Sequence, residues 1–246
     1  MKEKYIAVID SGIGGTSILN SLSKSLSDYN IIYYGDNFNA PYGNKRPEKL
    51  LSLTALNIAL VVNVPLSAVI LACNTLSVTV RGELENALNV PVFGVYPPAV
   101  SLKDDKTLLI ATPVTAKQYN SDKNITVVPL PNLAAEIERN AFSLGMVNLK
   151  NHLPNDKGFF KRFDNVILGC THYELIKNEF IDHFCPANII CPTRFTVNSV
   201  AKKLKSGKSS VNTCKNQIFF VGKNSEINKN FYKTVVANSE KVPKNF

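Results

Sequence analysis

Short apolar runs of four to six residues alternate along this chain with longer stretches whose apolar positions recur at helical spacing. The short runs cover 5–9, 31–34, 68–72, 92–95, 107–111, 125–128, 166–169 and 218–221, and they are rich in Ile, Val and Tyr. Most stop at Gly, Asp, Cys or Thr. Runs without a polar alternate predict strands covered on both faces. Helical patterns fill the gaps, most clearly over 16–26, 47–62 and 133–144. This alternation predicts an α/β fold of parallel sheets with crossover helices, in which ligands collect beyond the carboxyl ends of the strands.

The chain also resembles itself. Ala68-Val69-Ile70-Leu71-Ala72-Cys73-Asn74-Thr75 matches Asn165-Val166-Ile167-Leu168-Gly169-Cys170-Thr171-His172 in pattern, with the cysteines 97 residues apart. Upstream of each lies another strand ending in a polar turn, at Asp10-Ser11 and at Thr112, 63 and 58 residues before the respective cysteine. The expected architecture is two similar α/β lobes with parallel-rich sheets, related by a pseudo-two-fold, with the site in the cleft between them. Pro97-Pro98 marks the boundary: residues 1–95 with about 211–246 form the first lobe, and 96–210 the second.

Composition narrows the class. Of 246 residues 45% are hydrophobic and 19% charged, values of a globular chain. The net charge of +9 is uneven: residues 201–246 carry ten Lys against Glu226 and Glu240, leaving the first 200 residues nearly neutral. That distribution argues against a basic nucleic-acid-binding face on the main body. Five cysteines, at 73, 170, 185, 191 and 214, form no CxxC pair, which speaks against a disulfide framework or zinc ribbon. Residues 50–80 carry no formal charge, but Asn57, Asn63, Pro65 and Ser67 divide them into a helix-like and a strand-like half. A membrane span is therefore not expected, nor is a signal peptide from the short apolar run before Asp10. The expected setting is the cytoplasm, with reduced thiols.

Two thiols at strand ends, each facing a helix N-terminus, suggest paired proton transfer. Helix dipole and backbone N–H groups there are expected to lower a thiol pKa. Thiols on facing lobes would flank one carbon, the thiolate removing a proton while the thiol delivers one from the opposite side. Either cysteine alone reads better as a small buried hydrophobe; the parallel placement of the two is what turns the balance toward the chemical reading. Asp10 and His172 lie beside these thiols in sequence and suit proton handling, although Asp10 also suits a helix cap and His172 a turn hydrogen bond. Ser11, Tyr42, Gly43, Asn74, Thr75, Thr112, Thr115 and Thr171 supply neutral hydrogen-bonding groups around the expected cleft, a set that fits small carboxylates. No metal-ligand spacing stands out. A dinucleotide reading of Gly12-Ile13-Gly14-Gly15, with Asp36 as ribose contact, lacks the third glycine because Ser17 stands there.

These motifs resemble those of a known family. Asp10-Ser11-Gly12-Ile13-Gly14-Gly15, Gly35-Asp36 with Pro41-Tyr42-Gly43, Ala72-Cys73-Asn74-Thr75, Ala111-Thr112-Pro113-Val114-Thr115 and Gly169-Cys170-Thr171-His172-Tyr173 resemble the signatures of bacterial glutamate racemases, in their order and approximate spacing. The resemblance runs from the first strand to about Val236. It implies a cofactor-independent isomerase acting on glutamate, with Cys73 and Cys170 as bases and Asp10, His172 and Glu138 assisting. By the same resemblance Ser11, Pro41, Tyr42, Gly43, Asn74, Thr75, Thr112, Thr115 and Thr171 hold the amino acid. D-Glutamate for peptidoglycan would be the product, no cofactor, metal, nucleic acid or membrane partner is implied, and a homodimer is a form the family takes.

The chain departs from the family pattern at four places. Tyr96-Pro97-Pro98 lacks the usual acid, Pro192-Thr193 stands for an Asp-Ser, Asn37 for a small hydroxyl residue, and Glu174 for a common proline. Two competing readings remain at this level. One is a racemase for aspartate or another small acidic amino acid. The other is an inactive racemase-like binding protein using its cationic end.

Overall fold

The computed structural model describes residues 3–98, 106–119, 125–154, 161–185, 187–205 and 216–236. The chain begins β1 (Tyr5–Asp10), α1 (Thr16–Ser25), β2 (Asn30–Gly35), α2 (Pro47–Ala59), β3 (Leu66–Leu71), α3 (Asn74–Thr79), α4 (Arg81–Ala87) and β4 (Val92–Gly94). It continues β5 (Thr107–Ala111), α5 (Pro113–Lys117), β6 (Thr126–Pro129), α6 (Leu133–Arg139), β7 (Asn165–Gly169), α7 (Thr171–Leu175) and α8 (Lys177–Phe184). Then come β8 (Asn188–Ile190), α9 (Thr193–Lys205), β9 (Ile218–Val221) and α10 (Ser225–Phe231), which runs into a π-helical turn at Tyr232–Val236. Part of the lysine-rich end, with Cys214, lies outside the described residues.

Among the described residues the strands form two parallel sheets, ordered β4-β3-β1-β2-β9 and β6-β5-β7-β8. Read from β4 and from β8, both sheets share one order, with β4, β3, β1 and β2 answering to β8, β7, β5 and β6. β9 adds a fifth strand to the first sheet by pairing with β2. This is the doubled α/β architecture that the repeated strand-end pattern predicts.

Period-two alternation explains why the strands are apolar throughout. Ala7, Ile9, Ile32, Tyr34, Val69 and Leu71 face α2 through Leu50, Leu53 and Ile58. Their alternates Ile6, Val8, Ile31, Tyr33, Ala68 and Ile70 face Ile18, Leu19 and Leu22 of α1. The second sheet repeats the arrangement, with Leu108, Ile110, Val166 and Leu168 against Leu133 and Ile137 of α6. Each fully buried Ile or Leu of this kind contributes about 1.5–3 kcal/mol.

The uncharged stretch 50–80 resolves into α2, β3 and α3, and among the described residues no helix is long and apolar enough to cross a membrane. α6 stops at Arg139 rather than extending to 144, and β8 is a three-residue edge strand too short to stand out in the sequence. α9 lies within the range expected for the second lobe, yet its Val197 and Val200 pack into the first sheet's core.

Register sets the site. Ile9 lies opposite Leu71, and the Ala72 N–H donates to the Ile9 carbonyl at 2.9 Å, so Asp10 leaves the sheet beside Ala72-Cys73. In the second sheet Ala111 lies opposite Gly169, bringing Thr112 beside Cys170. In each sheet the chain crosses from one side of the central strand to the other, opening the crevice where ligands bind in such folds.

Candidate active site

Cys73 caps the N-terminus of α3 with extended backbone, just past the end of β3, and is 6% exposed. The Leu76 N–H and the Ser11 side chain lie where they favour its thiolate. Burial nevertheless pushes its pKa up to about 12, with the Asp10 charge adding to the rise. The expected lowering by the helix terminus is therefore outweighed here, and Cys73 is a protonated thiol at neutral pH. Asp10 is fully buried; its Oδ1 accepts from the Gly12 N–H at 3.0 Å and its Oδ2 from the Thr171 hydroxyl at 3.2 Å. It does not cap α1, whose first residue follows Gly15.

Cys170 occupies the matching position at the N-terminus of α7. Its Sγ lies 4.0 Å from Nδ1 of His172, whose Nε2 is 2.5 Å from Oε2 of Glu138. Glu138 rises from α6 and spans to the first lobe, where the Ile13 N–H at 3.1 Å and the Asn37 amide at 2.5 Å donate to its two oxygens. Burial works against the Glu138 charge, but bonds from His172, Ile13 and Asn37 hold its carboxyl below the usual range. Burial likewise opposes a charged His172, but Cys170 and Glu138 outweigh it and hold the imidazole well above its usual range. The pair is therefore an imidazolium and a carboxylate, with positive charge beside the Cys170 sulfur.

The lobes meet around these groups. Thr75 of the first lobe lies 3.0 Å from Thr112 and 3.4 Å from Thr115 of the second, oxygen to oxygen, and Thr112 donates to Thr115 at 3.1 Å. A Cβ on Gly43 would stand 2.6 Å from the Thr112 Cβ, and one on Gly14 would stand 2.5 Å from His172 Nδ1. Both turns need glycine because the opposite lobe comes that close. Asn74 donates to the Val95 carbonyl at 3.2 Å, while its buried Oδ1 has no protein partner. Pro41 follows a cis peptide and leads into Tyr42, whose hydroxyl donates to Asp36 at 2.5 Å. Asn39 also donates to Asp36, so this acid braces the loop rather than presenting itself to a ribose.

Of the site residues named from the sequence, Asp10, Ser11, Cys73, Asn74, Thr75, Thr112, Cys170, Thr171 and His172 lie at or just past strand ends, Thr115 lies in α5, Pro41, Tyr42 and Gly43 lie in the loop before α2, and Glu138 reaches in from α6. A separate cavity of about 730 Å³, lined in part by Lys150, Glu179, Asp182 and His183, sits on the second lobe and contains neither Cys73 nor Cys170. Among the described residues no group of three or more His, Cys, Asp or Glu side chains is placed to hold a metal ion.

No protein-family model matches the chain. It is 34% identical over 223 residues to the glutamate racemase of Clostridium acetobutylicum, covering 83% of this chain and 85% of that one. The chain belongs to the glutamate racemase family. Its members are isomerases. The glutamate racemase of Campylobacter concisus is 33% identical over 87% of this chain and 88% of its own length. Among solved structures, glutamate racemase from Francisella tularensis, in complex with D-glutamate, matches with TM-score 0.73, 26% identity and coverage of 96% and 95%. A Bacillus anthracis glutamate racemase isoform shares the fold at TM-score 0.76 and 24% identity, over 96% of each chain.

Departures from the racemase pattern acquire structural partners. Glu174 accepts from the Thr193 hydroxyl at 2.6 Å and from its N–H at 3.3 Å, so two departures meet and tie α7 to the start of α9. Tyr96 donates to the Ser77 carbonyl at 2.5 Å, filling the lobe boundary. Asn37 bonds Glu138 itself. Sequence reasoning missed Asn228 as a neighbour of the site, and it gave no partner to the Ile13 N–H or Gly14 within their motif. No local pattern reveals those contacts, because the partners lie on other elements.

Proposed function

We propose that the protein is a cofactor-independent glutamate racemase using two bases, Cys170 and Cys73, on opposite faces of Cα. In the L-to-D direction Cys170 removes the Cα proton and the Cys73 thiol delivers one from the other side; the roles reverse for D-to-L. The observation that carries this reading is the pair of matched strand-end thiols, one a protonated thiol and the other beside an imidazolium.

Cα–H is a very weak acid, so the carbanion-like state needs stabilisation without an electron sink. Thr75, Thr112, Thr115, Thr171 and Ser11, with the backbone at Tyr42-Gly43, supply neutral donors for the carboxylates, and the unpartnered Asn74 Oδ1 suits an ammonium group. Pro41 shapes the same loop. The contacts across the cleft exclude water once substrate is enclosed. Asp10 assists at Cys73; Glu138 and His172 assist at Cys170. In this reading the first lobe holds 1–95 with α9, β9 and α10, and the second holds the intervening elements. D-Glutamate so produced feeds peptidoglycan synthesis in the cytoplasm.

The test is proton NMR in D₂O with L-glutamate, D-glutamate and L-aspartate. Loss of the Cα–H signal from either glutamate enantiomer, with conversion to the other, is the expected result. Exchange with aspartate alone would keep the mechanism and move the substrate. Folded protein with free thiols that exchanges none of them would refute the reading.

A further inference from the structure

Asn37 stands where the family resemblance expects a small hydroxyl residue, and its side chain joins two parts of the protein that are far apart in sequence. Its Nδ2 donates to Glu138 Oε1 at 2.5 Å, and its Oδ1 accepts from Asn228 Nδ2 at 2.8 Å. Asn228 is fully buried on α10, and the same Nδ2 donates to the Gly35 carbonyl at 3.2 Å. A side-chain amide can present either its oxygen or its nitrogen to a neighbour. Here the choice is made twice over. Glu138, a carboxylate, accepts only, so Asn37 must turn its NH₂ toward it. Asn228, held by Gly35, offers an N–H to the oxygen that remains. A carboxylate with one such fixed donor on Oε1 and the Ile13 N–H on Oε2 has little freedom to turn away from His172.

We propose that Asn37 is a positioning residue of the Cys170 half-site, locked in orientation by Asn228, so that α10 helps set the alignment of Glu138, His172 and Cys170. This inference rests on the two-base reading. The hydrogen-bonded line runs from Asn228 through Asn37 and Glu138 to His172 and Cys170, crossing from the first lobe to the second. Asn37 touches neither cysteine; it acts through Glu138. The charged and titratable groups that face Glu138 are His172, Asp10 and Tyr33, and of these His172 alone bonds its carboxylate.

Asn37→Leu keeps shape and removes both hydrogen bonds. The expected result is a kcat lower by about 10- to 100-fold with KM little changed, as for loss of an outer residue that orients a reacting group. Loss of the donor makes the Glu138 carboxylate easier to protonate, so the acid limb of the kcat profile moves up by about one pH unit. The step through Cys170 alone is slowed. The primary isotope effect on kcat/KM therefore rises with L-[2-²H]glutamate and falls with D-[2-²H]glutamate, an asymmetry that a general loss of folding cannot produce. Asn228→Ala shows the same asymmetry, and the double variant is no worse than the poorer single one, because both act on one line.

Equal isotope effects in the two directions, or a kcat for Asn37→Leu within about threefold of wild type, overturns the proposal while leaving the racemase intact. A readout without turnover separates the two readings: ¹⁵N NMR of the His172 ring against pH. An upward-shifted acid transition of the His172–Glu138 pair in Asn37→Leu supports the proposal, and an unshifted one overturns it. Wild-type protein that exchanges no glutamate refutes the racemase reading on its own terms.

Discussion

Gly12→Ala is the sharpest probe of the Glu138 carboxylate. A Cβ at this position would stand 2.3 Å from Oε2 and 2.6 Å from Cδ of Glu138. The backbone itself is no obstacle, since Gly222 is the glycine with positive φ among the described residues. The clash is with the far end of a flexible side chain, which can swing aside. The loss of stability is then about 1 kcal/mol, the low end for overpacking. Swinging aside, however, forfeits the Ile13 N–H, the Asn37 amide and the His172 imidazole together. If the lost alignment of His172 and Cys170 amounts to about 2.7 kcal/mol in the transition state, the rate falls by about 100-fold. The assay is racemisation followed by circular dichroism from both enantiomers, alongside urea unfolding of the same preparations. Expected are a hundredfold slower enzyme and an unfolding midpoint lowered only by the equivalent of about 1 kcal/mol. A variant as active as wild type, or one whose activity loss is matched by global unfolding, would refute the reasoning.

Cys73→Ala and Cys170→Ala should each abolish racemisation, and near-normal turnover by either ends the two-base scheme. Glu174 carries a pKa raised from 4.5 to about 7, chiefly by burial. The folded protein therefore retains a proton that the unfolded chain has released. Its stabilising contribution is complete below pH 4.5, declines as pH rises to 7, and is gone above; the span amounts to about 3 kcal/mol. Urea titrations should find Glu174→Gln without that decline and more stable than wild type at pH 8; parallel stability curves would count against it. Tyr42→Phe leaves buried Asp36 without its phenol donor, although Asn39 still bonds it, and should cost about 1–3 kcal/mol in unfolding free energy. An unchanged midpoint would show the bond contributes nothing.

Much of the fold was legible because parallel strands buried on both faces leave a continuous apolar signature. Tyr5–Asp10, Thr107–Ala111 and Asn165–Gly169 are marked that way, within a residue at the ends. β8 was not, since three residues carry no periodicity. The shortening of α6 at Arg139 was also hidden, because helical spacing persists into the turn that follows. At the site, Cys73 and Cys170 announced themselves through a repeated local pattern. Glu138 did not: on helix spacing alone it reads as a solvated carboxylate, and only the packing of α6 beside α7 makes it a partner of His172, with the opposite lobe adding the Ile13 N–H.

The sequence by itself determined the strands, the repeat, and the two thiols at strand ends, because each is written in neighbouring residues. It also determined the family, through motifs that are local in the same sense. Tertiary structure decided what the thiols experience. Burial beside Asp10 makes Cys73 a weak acid despite its helix terminus, while the imidazolium next to Cys170 depends on a carboxylate from another helix. It likewise decided that Asn37 reaches Glu138 and that Glu174 meets Thr193. Desolvation and charge pairing depend on distance in space, and a chain records only distance along itself.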